Sequence, residues 1–187
     1  MHRFNIESRT WSELTKAPVS PRGGAALAYH SQNLYLHGGF DGNEHSELVV
    51  YNISKDTWQT PRFANDVNDR NTVPAPRSVH CMVPFQSSSD SSQVNLAVLF
   101  GEGHPSDLGH DGAGNFFDDG WCVSIGGGQE HETLQASWTR LNFAGDIPVP
   151  RGWFQAAPIS GDKILVSGGL NDDNARLADL YFLQIEA

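Results

Sequence analysis

Three landmarks recur in the same order along this 187-residue chain: a Pro-Arg dipeptide, an apolar run closing on glycine, and a lone tryptophan. Pro21-Arg22, Pro76-Arg77 and Pro150-Arg151 open the copies. Each is followed by a small or apolar segment (24–29, 78–83, 153–159) and then by a second (33–39, 95–101, 163–169). The second segment closes on Gly38-Gly39, Phe100-Gly101 or Gly168-Gly169, so the middle copy has lost one glycine of the pair. A third segment follows (46–53, 120–125, 178–185), and a fourth carries Trp58 or Trp138. Repeating units of this size bury their apolar faces by stacking on one another. Four strands per unit is the blade of a β-propeller.

The copies are unequal at the ends. Tyr51 and Trp58 stand seven apart across the polar turn Ser54-Lys55-Asp56, which reads as the hairpin joining strands three and four. Phe4 and Trp11 have the same spacing, so the chain opens inside a third strand. No tryptophan follows Tyr181-Phe182, so the last copy lacks its fourth strand. The expected division is a partial blade over 1–20, a blade over 21–75, a blade over 76–149 and a three-stranded blade over 150–187. Closed propellers have about 4–8 blades, and an open arc leaves sheet edges exposed. The expectation is therefore half of a six-bladed ring, completed by further sequence or by a homodimer in which the Trp11 strand of one copy finishes the last blade of the other.

Composition fits this reading and excludes several functions. Nineteen glycines, ten prolines and only 18% charged residues suit short strands and tight turns. No apolar run approaches the ~18 residues of a membrane span. Twelve basic against 22 acidic residues give a net charge of −10, a field that repels phosphate backbones and anionic membranes. Neither nucleic acid nor membrane is an expected partner. Residues 1–8 contain no apolar signal core, and Cys81 and Cys122 make no disulfide framework, so the expected location is cytoplasmic with both thiols in the core.

A strand opened by Arg, then Gly-Gly, an aromatic, six residues and Trp resembles the kelch repeat of ~50 residues. The resemblance covers the whole chain and implies a kelch-type β-propeller, all-β throughout. No Trp-Asp dipeptide closes a unit, as WD-type blades would require. Copper-oxidase chemistry on this fold needs a Cys-Tyr pair, and neither cysteine has an evident tyrosine partner in the sequence.

The middle copy is the specialised one. Pro21 to Pro76 spans 55 residues, whereas Pro76 to Pro150 spans 74. Part of the excess is the polar tract 86–93; more lies in the loop 102–119. Loops longer than their siblings are where repeat scaffolds carry function. This one offers Glu102, His104, Asp107 and His110 among glycines. Carboxylate with imidazole is ligand chemistry for Fe(II), Zn(II) or Mn(II). The alternative is a glycine-rich loop whose polar side chains cap its own turns.

The loop's pattern Glu-x-x-Pro-Ser-Asp-x-Gly-His-x-Gly-Ala-Gly resembles that of kelch proteins related to plant nitrile-specifier proteins and their fungal counterparts. That resemblance implies Fe(II) held by Glu, Asp and His at spacing Glu-x3-Asp-x3-His. Those positions here are Glu102, Ser106 and His110. Ser106 departs from the pattern, leaving Glu102, Asp107 and His110 as the candidate metal set. Fungal kelch-fold proteins without the triad are similar to hetero-Diels-Alderases of secondary metabolism, which join a quinone methide to an alkene and need no cofactor. That chemistry implies an aromatic pocket and hydrogen-bond donors. Candidate catalytic residues are His110, Glu102, Arg22, Arg77 and Arg151; candidate substrate contacts are Trp153, Phe154, Tyr29, His80 and Trp121. Against these stand structural readings: the Pro-Arg arginines as anchors between blades, and Trp121 as packing. The substrate class is a small molecule. The competing function is a kelch interaction module, which needs no reactive groups.

Overall fold

A computed structural model describes residues 1–66, 69, 71–86, 93–109, 112, 114–127 and 133–185. The first complete blade is the antiparallel sheet β3 (Ala26–His30), β4 (Asn33–His37), β5 (Leu48–Asn52) and β6 (Thr57–Gln59). The second is β8 (Cys81–Phe85), β9 (Val94–Leu99), β12 (Gly120–Gly126) and β13 (Gln135–Leu141), with β7 (Arg62–Phe63) added parallel at its outer edge. The third is β14 (Gln155–Ser160), β15 (Lys163–Leu170) and β16 (Arg176–Gln184). An N-terminal hairpin, β1 (His2–Asn5) with β2 (Thr10–Glu13), pairs Phe4 with Trp11. Their ring centroids lie 5.1 Å apart, against 5.0 Å for Tyr51 and Trp58 in the first blade, so the hairpin is a strand-three to strand-four unit by geometry as well as spacing. Among the described residues no helix is long and apolar enough to cross a membrane.

Alternation along the strands sorts side chains between the two faces of each blade. Ala26 and Ala28 of β3 join Met82, Leu96, Val98 and Trp138 in one buried cluster between the first and second blades. Phe85, Leu99 and Cys122 join Phe154, Ile164 and Val166 in another between the second and third. Both cysteines are free, and burial raises both thiols, Cys81 to about 11, which leaves them un-ionised at neutral pH.

Each first strand starts two or three residues later than the sequence pattern suggests. The residue three after the repeat proline is in left-handed conformation in all three copies: Gly24 (φ 62°), Val79 (φ 48°) and Trp153 (φ 57°). These residues bond across the seams instead of along their own sheets. Val79 N–H donates to Gly24 O at 2.8 Å, and Trp153 N–H donates to Val79 O at 3.0 Å. A second row runs the other way, from Gly39 N–H to Arg77 O and from Gly101 N–H to Arg151 O, both at 2.9 Å.

The repeat arginines lock each turn to its own blade. Arg77 donates through both terminal nitrogens to Asp119 (2.7 and 3.1 Å) and also to Phe100 O (2.8 Å). Arg151 holds Asp179 (2.7 and 2.9 Å) and Gly168 O (2.9 Å) in the same way, and Arg22 reaches Glu47 (3.0 Å) and Gly38 O (3.4 Å). Burial opposes ionisation of Asp119, yet hydrogen bonds and charge from Arg77 hold it below the usual carboxylate range. The side chains thus anchor within a blade, while the Arg77 and Arg151 carbonyls make the contact between blades.

Two further polar contacts cross the first seam, one of them from Arg77 N–H to His45 O at 3.0 Å. His37 Nδ1 lies 2.9 Å from His80 Nε2 with both rings buried, leaving His37 Nε2 and His80 Nδ1 without partners. Burial, reinforced by the charge of Arg77, lowers His37 to about 3; burial, His37 and Arg77 lower His80 well below the ordinary histidine value.

Two outcomes follow. Arg77→Met strands a mostly buried carboxylate and is expected to cost about 3–5 kcal/mol in urea unfolding. Arg22→Met, whose partner Glu47 is half exposed, is expected to cost about 1 kcal/mol or less. Equal losses would remove the distinction between the two. For the histidines, unfolding restores an ordinary pKa near 6.5, so the unfolded chain binds protons that the folded chain refuses. Their contribution is complete above pH ~6.5 and falls as pH drops below that, by at most about 1.4 kcal/mol per pH unit for each ring. The double variant H37L/H80L should flatten melting temperature between pH 6.5 and 5; an unchanged slope counts against the pair.

Candidate functional site

In every blade the residue after the second glycine pairs with the residue after the repeat arginine: Gly23 with Phe40, Ser78 with Glu102, Gly152 with Leu170. This arrangement brings six backbone positions to one end of the arc. All of them but Gly152, together with the left-handed residues Gly24, Val79 and Trp153, line a cleft of about 640 Å³ where the three blades converge. Its walls are largely apolar, from Phe40, Val79, Trp153, Leu170 and Pro105. Its polar groups are Glu44, Glu102, Ser106, Asn174 and Arg176. One carboxylate oxygen of Glu44 is buried without a hydrogen-bond partner.

The long loop roofs this cleft. It folds back as the short hairpin β10 (Glu102–His104) with β11 (Asn115–Phe116), and Phe116 N–H donates to Asp172 of the third blade at 3.0 Å. Between the strands, Leu108 N–H donates to Ser106 Oγ at 3.1 Å and Gly109 N–H to Ser106 O at 3.0 Å. Ser106 therefore caps its own turn as it faces the cleft. Gly114 lies so close to the Glu102 carboxylate that any side chain there would strike it. Glycine at 114 is thus a steric condition for Glu102 to point inward.

The sequence-proposed residues divide sharply. Glu102 and Trp153 meet in the cleft, and Trp153 is 54% exposed there. Asp107 is exposed and does not line the cleft, and His110 lies outside the described residues. Among the described residues no group of three or more His, Cys, Asp or Glu side chains comes together as a metal site. With His110 outside them, the proposed iron set is not described as a whole, and no step below runs through it.

His80 and Phe154 line a separate groove of about 350 Å³ along the inner strands, which Trp153 also borders. Phe154 is buried there, edge-on to Phe100 at 5.5 Å. Arg77 and Arg151 are fully buried in their ion pairs, and Arg22 is held by Glu47 and Ser20, so none of the three reaches the cleft. Trp121 is core: its indole N–H donates to Asp119 at 2.7 Å. Tyr29 stands exposed on the outer face of the first blade. Phe40, Glu44, Val79, Leu170 and Arg176 were not singled out from the sequence. Phe40 and Leu170 occupy the position of Glu102 in their own copies, so the repeat alignment contains the signal for them.

Comparison with known proteins agrees with this architecture. The kelch motif matches residues 21–61, the first blade. Kelch domain-containing protein 1 of Homo sapiens is 24% identical over 201 aligned residues, covering 95% of this chain and 43% of that protein. Its Mus musculus counterpart is 26% identical over 196, covering 96% and 45%. The chain therefore spans less than half the length of these relatives. The solved structure of YjhT superposes with a TM-score of 0.66 at 14% identity, over 98% of this chain and 49% of that one. With its kelch motif, seam-bonded blades and repeated arginine locks, the chain is an arc of a kelch-type β-propeller.

Proposed function

We propose that the cleft at the converging ends of the blades binds a small, largely apolar organic molecule, and that the chain acts on it as a cofactor-independent cyclase of the hetero-Diels-Alder type. The observation that carries this reading is Trp153. A bulky residue in left-handed conformation costs about 1–2 kcal/mol, and the matching position in the first blade is glycine. The indole is nonetheless held half exposed against the cleft, where burial offsets little of that cost. Strain kept at a cavity wall is a functional signature.

The cleft has the size and lining of a small-molecule site. In the proposed reaction the oxygen-terminated four-atom π system of a quinone methide and the two carbons of an alkene join through one C–C and one C–O bond. No atom is gained or lost, and no oxidant is required. Such a step asks for alignment and polarisation, not proton transfer. Trp153 and Phe40 supply flat apolar walls, and Arg176 supplies a donor for the oxygen terminus, where negative charge develops. Arg22, Arg77 and Arg151 have no part in this assignment.

A second reading, a module that captures a partner protein, is favoured by Leu108, which the roofing loop leaves mostly exposed to solvent. One series of measurements separates the two. A phenol bearing a tethered alkene is expected to quench tryptophan fluorescence and raise the melting temperature. Trp153→Gly should lose that response by tenfold or more while stability stays level or rises by up to about 1 kcal/mol. Loss of 2 kcal/mol or more, or full ligand response in the variant, would refute the role given to Trp153. Binding without turnover of a quinone methide generated in place would leave a binding module and remove the enzyme.

A further inference from the structure

Each blade returns to the end of the arc once more, just beyond the residues that frame the cleft. Phe40 bridges Glu44 across the turn 41–43, Glu102 pairs with Phe116 across the roofing loop, and Leu170 pairs with Arg176 across the turn 171–175. Glu44, Phe116 and Arg176 therefore hold one structural position in three successive blades. The middle one does not line the cleft: its ring lies against Gly152, where any side chain would strike it. The outer two do line it, an acid from the first blade and a base from the third.

These two differ from the other polar groups of the cleft in having nothing to satisfy them. Ser106 caps its own turn, and Glu102 and Asn174 each interact with other groups. Among the described residues neither the Glu44 nor the Arg176 side chain has a hydrogen bond or an ion pair, and the two do not pair with each other. One Glu44 oxygen is sealed from solvent, although the side chain as a whole is only partly buried. A carboxylate hydrated through one oxygen alone gains more from an incoming donor than a fully hydrated one, because less water has to be removed. Arg176 is exposed and keeps its full set of donors. The rest of the lining, with Phe40, Val79 and Leu170, is apolar.

We propose that the molecule bound in this cleft is bipolar, with a hydrogen-bond donor, either a hydroxyl or a protonated amine, facing Glu44 and an oxygen acceptor facing Arg176. This rests on the small-molecule reading of the cleft and narrows it, since that reading uses the acceptor end and gives Glu44 no part. A net charge of −10 disfavours an anion approaching the cleft. The oxygen that meets Arg176 is therefore neutral when it binds, and the positive end of the molecule meets Glu44. A phenol with a tethered alkene satisfies one of the two groups. An analogue with a second donor at the far end of the ring satisfies both, so Glu44 determines specificity.

Titration calorimetry with three probes tests this: the alkenyl phenol, its dihydroxy analogue and its aminomethyl analogue. The better of the two added donors should tighten binding by about tenfold or more, as one hydrogen bond to a charged group allows. The tighter of those two probes identifies which donor the cleft takes. Glu44→Leu should bind all three probes alike, with a melting temperature no lower than before, because it removes an unsatisfied oxygen. Arg176→Met should weaken all three and keep the difference between them. Should Glu44→Leu fail to fold, the ratio of affinities on the unaltered chain decides. If the alkenyl phenol binds and neither added donor improves it about tenfold, or the improvement survives Glu44→Leu, the proposal falls and the small-molecule reading stands. If none of the three binds, both fall.

Discussion

The hydrogen bonds from Val79 to Gly24 and from Trp153 to Val79 fix the geometry on which the rest depends. A residue can point its N–H at the neighbouring blade here only by leaving the extended conformation, and the left-handed region is where it goes. That turn ends the sheet two residues early and lifts the preceding residue onto its partner after the glycines, producing the three bridges that frame the cleft. It also sets each repeat arginine at the depth where its side chain meets a carboxylate just before or within strand three. Seam, cleft and ion pair are consequences of one backbone choice made three times.

The repeat and the order of strands within a blade were legible because they depend on periodic residues: the arginines, the glycine pairs, and Tyr51 with Trp58. The functional assignments were less legible. Arg77 and Arg151 attract attention as repeated charges near a channel, and nothing local to them in sequence announces Asp119, 42 residues away, or Asp179, 28 away. An acid pairs with the repeat arginine in every copy, Glu47 and Asp119 just before the third strand and Asp179 within β16, so the pairing was present as a repeat pattern though not as a motif. Asp107 and Ser106 show a sharper limit. Which of two adjacent loop residues faces inward depends on the turn that Ser106 caps, and that turn has no period.

The polar economy of the seams explains why so few charges hold the arc. Arg77 and Arg151 each satisfy carbonyls and a carboxylate together, so burying the guanidinium leaves little unmet demand. The His37 and His80 pair is different. One ring can donate to the other in either tautomer, which leaves one outer donor and one outer acceptor without a partner. Its contribution is therefore conditional on both rings staying neutral. Arg77, buried nearby, enforces that condition by opposing any added positive charge.

Three bulky residues occupy left-handed positions around the site, and comparing what offsets the strain of each separates packing from function. Phe100 (φ 50°) stands where the other copies have Gly38 and Gly168, which accounts for the missing glycine of the middle repeat. It is fully buried against Phe154 and Phe143, and burial of a phenylalanine, worth about 1.5–3 kcal/mol, outweighs the conformational cost. Val79 is half-buried and partly compensated by packing close to Gly24, where an added side chain would be tight, and to Gly152, which has no room for one. Trp153 alone is left half in solvent at the same backbone angle. A stability argument accounts for Phe100 and most of Val79, and it fails at Trp153. On that difference rests the ligand contact proposed for Trp153.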